Sequence, residues 1–122
     1  MSLAYYPNFE HPVEGFDPVT AMDGKRLAKA SDALTGIAKR LKVIPIEEFF
    51  GAVPELDGVD IKERWFSPEE GLTTVIALTD YLQQHPKIVP SQQRVTEDLQ
   101  DLQKILELAQ QKKIRWHLGI NF

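Results

Sequence analysis

Residues 91–122 read SQQRVTEDLQDLQKILELAQQKKIRWHLGINF, and their hydropathy pattern changes period once, at Ile114. Upstream, Val95, Leu99, Leu102, Leu106 and Ala109 recur at alternating intervals of four and three, with Ile105 and Leu108 beside them. That spacing lays one apolar stripe along a helix spanning about 92–112. Ser91, just after Pro90, is expected to act as its N-cap, the hydroxyl accepting from a backbone N–H that has no partner within the helix. Acidic Glu97, Asp98 and Asp101 come early and basic Lys112, Lys113 and Arg115 late, so both ends complement the helix dipole. Beyond the break, Ile114, Trp116, Leu118, Ile120 and Phe122 alternate with Arg115, His117, Gly119 and Asn121, the period of a half-buried strand. No glycine closes the helix. Either Lys112 or Lys113 takes the left-handed position, or the turn is wider. A lone strand cannot satisfy its backbone groups, and Leu3–Tyr6 is the first candidate to pair with Arg115–Phe122.

Two more helices are expected. Asp23 reads as the N-cap of one covering 24–42, with Leu27, Ala30, Leu34, Ile37, Ala38 and Leu41 inward. Ser67-Pro68-Glu69-Glu70 combines an N-cap serine, proline at the first helical position and glutamate at the third. This capping box starts a helix over 68–84 with Leu72, Val75, Ile76, Thr79 and Leu82 inward. The short link from His85 to Ser91 makes it the antiparallel neighbour of the last helix. Residues 1–22 hold Pro7, Pro12 and Pro18 among aromatics, which predicts an extended N-terminal arm. Residues 43–66 read as loop-rich, with one short turn from Pro45 to Gly51 and the most flexible segment from Ala52 to Arg64. The fold class is therefore helix-rich α+β: three amphipathic helices packed with a small antiparallel sheet that includes the C-terminal strand, in a single globular domain over 1–122.

Composition narrows the function. The chain has no cysteine, which removes disulfides, thiolate chemistry and Cys-based zinc sites, and suits a reducing, cytoplasmic setting. No apolar run approaches the ~18 residues of a membrane span, and the start shows no secretory pattern, so a soluble protein with no membrane partner is expected. A net charge of −4 disfavours nucleic acid as the main partner. That charge is unevenly spread. Lys25, Arg26, Lys29, Lys39, Arg40 and Lys42 face only Asp32 between positions 25 and 42, a local +5, while the rest of the chain carries −9.

Catalytic signatures are missing. Gly24-Lys25 lacks both the upstream glycine and the following Ser or Thr of a phosphate loop, and Asp57-Gly58-Val59-Asp60 lacks calcium-loop spacing. His11, His85 and His117 show no metal-ligand spacing, so no metal and no cofactor is assigned. Neighbouring Glu47 and Glu48 point about 100° apart on a helix and cannot share a proton. What remains are two aromatic–basic segments. Arg64-Trp65 precedes the capping box, and Arg115-Trp116-His117 lies in the strand with Trp116 on its apolar side. Arginine beside large aromatics is the composition of binding hot spots. The candidate binding residues are Trp65, Arg64, Arg115, His117 and Tyr5. The function expected is a non-enzymatic protein–protein interaction module of adaptor or inhibitor type. The alternatives are a self-associating structural protein, and a small-molecule-binding protein or modest enzyme with a pocket near the C-terminal strand.

Overall fold

The computed structural model describes residues 3–54 and 61–121; Phe122 and residues 55–60 of the expected flexible segment lie outside the described residues, and the rest of Ala52–Arg64 holds two short strands where loop was expected. Strand β1 (Ala4–Phe9) is followed by helices α1 (Lys25–Lys29) and α2 (Ser31–Leu41). Short strands β2 (Ala52–Pro54) and β3 (Ile61–Glu63) pair antiparallel, then come α3 (Pro68–Gln84), α4 (Gln92–Lys112) and the final strand β4 (Trp116–Asn121). The α+β arrangement expected from the sequence is present: helices packed against a small antiparallel sheet containing the last strand.

β4 pairs antiparallel with β1, Ala4 opposite Asn121 through Phe9 opposite Trp116. Trp116, Leu118 and Tyr5 face the core from this sheet. The other edge of β4 is also occupied. Phe66 and Trp116 exchange both backbone hydrogen bonds, at 2.8 and 2.9 Å, and Gly51 N–H donates to the Leu118 carbonyl at 3.1 Å. The last strand is thus the middle of a four-segment array, although two of its neighbours contribute only a bridge each.

β1 forms the outer edge, and its pairing explains how it tolerates Pro7. Glu10 N–H donates to the Arg115 carbonyl, so even-numbered residues of this segment turn their backbone groups toward β4 and odd-numbered ones away. Pro7 is odd and has no N–H to lose from the ladder. The Tyr5 N–H is taken by the Gly24 carbonyl at 3.1 Å, and the Phe9 N–H by the Asn8 side chain at 3.1 Å. At these three positions the edge offers no donor to an incoming strand, which protects it from strand addition.

α3 begins with the expected capping box. Glu70 N–H donates to Ser67 Oγ at 3.2 Å, and Ser67 N–H donates to Glu70 Oε1 at 3.3 Å. Ser67→Ala is expected to lower stability by about 1 kcal/mol in urea denaturation; an unchanged midpoint would show the box to be energetically idle. α3 and α4 then pack side by side through Leu72, Val75, Leu78, Leu82, Leu99, Leu102 and Leu106, all buried. Ile76, expected inward, is 41% exposed, and Leu78 holds the buried position instead. On a 3.6-residue period Leu78 lies within about 60° of both Val75 and Leu82, whereas Ile76 is turned about 100° from Val75 in the opposite sense.

Three further expectations are corrected at helix ends. The helix over 24–42 is two helices, broken at Ala30, after which Ser31 and Asp32 supply residues suited to a new start. Asp23 is not the cap of α1; Gly24 occupies the N-cap with φ +73° and has no side chain to offer. Ser91 likewise makes no capping bond and is left-handed at φ +53°. The adjacent Gln92 organises that connection: its Oε1 accepts from Ile88 and Val89 N–H, and its Nε2 donates to the Leu82 and His85 carbonyls. Lys113 does take the left-handed position at the end of α4, and Ile114 N–H closes back on the Ala109 carbonyl at 2.9 Å.

The cap missing from α1 comes from α4. Asp98 is 5% exposed, and its Oδ2 accepts from Leu27 N–H at 3.0 Å. Burial pushes the Asp98 carboxyl above its usual range, against the hydrogen bonds from Leu27 and Gly24, which favour the charged form. Because the folded state then holds the proton more tightly than the unfolded chain, this group's contribution is fully present below the unfolded value. It is lost as pH rises through the folded value. Asp98→Asn removes that dependence. In thermal melts the stability of the wild type relative to Asp98→Asn should fall as pH rises from 3.8 upward; a relative gain with pH would mean that the charged cap is the favoured form.

Candidate functional site: an aromatic shelf on the outer sheet face

The register of β1 and β4 sorts their side chains. Phe9, Pro7 and Tyr5 stand opposite Trp116, Leu118 and Ile120 on the inward face. Asn8 and Tyr6 stand opposite His117 and Gly119 on the outer face. An outward His in a two-stranded sheet would ordinarily be solvated, yet His117 is only 8% exposed. Its cover is Trp65, whose ring lies flat on the imidazole with centroids 3.9 Å apart and an interplanar angle of 16°.

The segment carrying Trp65 is held in place from several directions. The Arg64 N–H donates to the Gly51 carbonyl, its Nη2 donates to the Phe50 carbonyl at 3.1 Å, and its guanidinium carbon sits 5.8 Å from the centre of the Phe66 ring. Trp116 Nε1 donates to the Ser67 carbonyl at 3.0 Å, fixing the start of α3 against β4. His117 Nδ1 lies 2.9 Å from the Arg64 carbonyl. A carbonyl only accepts, so Nδ1 carries the proton, and Nε2 is the acceptor of the neutral ring. Gly51 makes room for the imidazole: a Cβ there would stand 1.9 Å from His117 Nδ1. Gly119 does the same for the Tyr6 ring, which a Cβ would approach to 2.4 Å.

Of the five residues singled out in the sequence, the structure brings Arg64, Trp65 and His117 into direct contact. Arg115 lies just before β4 and is engaged by Glu10, with Nε and Nη2 donating to the two carboxylate oxygens at 2.5 and 2.8 Å. The guanidinium holds the Glu10 carboxyl below its usual range, chiefly through the hydrogen bond. Tyr5 is apart from the shelf. It is buried on the inward face, edge-on to Phe50 at 5.0 Å. Tyr6, Asn8 and Glu10 belong to the outer face and went unnoticed in the sequence; once β1 is paired, their even positions opposite Gly119, His117 and Arg115 identify them.

The chemistry available to this arrangement is recognition. The shelf offers one imidazole with a fixed proton, the Arg64 guanidinium and a half-buried indole, with no nucleophile or second titratable group in hydrogen-bonding contact with His117 among the described residues. Among these residues no three of His, Asp and Glu lie close enough to hold a metal ion. His11 sits beside Glu10, and His85 stacks on Tyr81, each with its own neighbours. Grooves lined by described residues are open and peripheral. One of about 230 Å³ runs between the start of α3 and Lys113–Arg115. Another of similar size, almost wholly apolar, lies between Phe16, Ala21 and the α4 residues Ile105 and Leu108. No helix among the described residues is long and apolar enough to cross a membrane. Comparison with protein-family models, curated proteins and solved structures returned no match.

Proposed function

We propose that this protein is a non-enzymatic protein–protein interaction module, and that the outer sheet face around Trp65 is a contact surface. The observation that carries this reading is the indole of Trp65, laid on His117 and flanked by the exposed Arg64. A large aromatic already immobilised by stacking loses little conformational freedom on binding, and arginine beside it adds directional donors. Among the described residues the shelf forms an open surface around one indole and one exposed guanidinium, which supports a macromolecular partner over a substrate. The protected edge of β1 argues against self-association by strand addition. Lack of cysteine and the acidic net charge support a cytoplasmic protein whose partner is another protein rather than nucleic acid.

Trp65→Ala tests the reading, because the residue lies outside the buried core and its loss should leave the fold standing. Immobilised wild-type protein incubated with an extract of its source cells is expected to retain a partner that Trp65→Ala retains at least about tenfold less, the scale of a hot-spot truncation. Equal retention by both proteins, or no retained protein, would contradict it.

A further inference from the structure

Away from the shelf, α1 carries Lys25, Arg26 and Lys29 and the end of α2 carries Lys39 and Arg40 with Lys42 just beyond it, all exposed. None forms an ion pair with another described residue, and Asp32 is the one acid between them. The contrast with α4 is informative. There Arg94, Glu97, Asp101, Lys104 and Glu107 mix both signs at helical spacing, as on an ordinary solvated face. On α1, Lys25 opens the helix, where the dipole disfavours a cation, and it repels Lys29 one turn on. Lys29 at the end of α1 and Lys39 and Arg40 in the last turn of α2 suit the dipole, but none of the six cations gains an ionic partner among the described residues.

We propose that this face is a second contact surface, which docks an acidic segment of a protein partner; it rests on the interaction-module reading and names the chemistry of the partner. Complementary charge argues for a polyanion, and the composition of the face selects among polyanions. No aromatic residue lies between positions 25 and 42 to stack on bases, and the remainder of the chain, at −9, repels a phosphate backbone. Among the described residues the exposed large apolar ones are Leu3, Val19, Ile44, Ile76 and Ile88, none of them on α1 or α2, and Ile44, two residues past Lys42, is a single side chain and not the apolar face that a bilayer-bound helix needs. An acidic protein segment needs only the cations.

The probe is a fluorescently labelled poly-glutamate peptide titrated with the full chain, read by anisotropy at about 0.01 M and about 0.1 M ionic strength, where the Debye length is roughly 30 and 10 Å. The expected result is binding that weakens with salt. It should fall at least about tenfold in Lys25→Glu/Lys29→Glu and in Lys39→Glu/Arg40→Glu, and less than about threefold in Lys104→Glu/Lys112→Glu, which changes net charge equally on α4. Absence of binding at low salt, or an equal loss in the α4 control, overturns the proposal. Tighter binding of polyuridylate or of phosphatidylserine vesicles than of the peptide also overturns it. Trp65→Ala should bind the peptide as the wild type does. A Trp65→Ala protein that keeps the extract partner therefore counts against the shelf alone, while a failed peptide titration counts against this face alone.

Discussion

Trp116→Ala is expected to lower stability by about 3–5 kcal/mol, a large part of the roughly 5–15 kcal/mol that holds a domain of this size together. The side chain is fully buried and stacks on Phe49 with centroids 5.0 Å apart. Its ring also fills the space left by Gly71 on α3, where a Cβ would stand 2.3 Å from the indole. Truncation therefore opens a cavity where β4, α3 and the 46–49 turn meet, and strands the Ser67 carbonyl that the indole N–H serves. Urea denaturation is the measurement. A loss below about 1 kcal/mol would mean that the site collapses around the missing ring.

Gly24→Ala should cost about 2–4 kcal/mol, for two separable reasons. The backbone there is left-handed at φ +73°, and a Cβ would lie 1.8 Å from the Tyr5 carbonyl oxygen. Backbone has to move, and with it go the Tyr5 N–H to Gly24 bond at the sheet edge and the Asp98 cap on Leu27. Gly15 provides the control, since it is left-handed at φ +76° with nothing within 4 Å of an added Cβ. Gly15→Ala should cost only the conformational part, roughly 1–2 kcal/mol. Equal losses at the two glycines in parallel melts would remove the steric argument and leave the α1–β1–α4 junction without its proposed keystone.

The parts of this fold that were legible are those written as periodicities and local caps. The switch at Ile114 from a period near 3.6 to a period of 2 marks the end of α4 and the start of β4 within two residues. The Ser67–Glu70 box locates the start of α3, and the aromatic arm yields β1, which ends three residues later than Leu3–Tyr6 suggested, with Pro7 tolerated on the outer edge. The arms of β2 and β3 were missed because three residues are too few for alternation to register. Asp98 left a signal that was read as helix-dipole complementation. It lies three residues after Val95 and four before Leu102, on the apolar stripe itself, and an acid in that place needs a buried donor.

The shelf was half legible for a different reason. Residue type singled out Trp65, Arg64 and His117, and strand parity put His117 on the outer face. Their contact spans more than fifty residues and depends on Phe66 bridging to Trp116, a pairing no local pattern encodes. Tyr5 and Arg115 attracted attention for the same compositional reasons. Register sends Tyr5 to the core and hands Arg115 to Glu10.

Everything described here depends on the last strand lying at the centre, bonded along both edges, instead of closing the chain as an exposed edge. Native-state amide hydrogen exchange tests this directly. The N–H groups of Trp116, Phe66 and Gly51, each bonded across β4, should exchange only with global unfolding, at the same slow rate as the buried amides of α4 such as Leu102. Exchange of those three amides at the rate of the exposed α3–α4 connection would show β4 open along that edge and contradict the architecture on which the shelf is built.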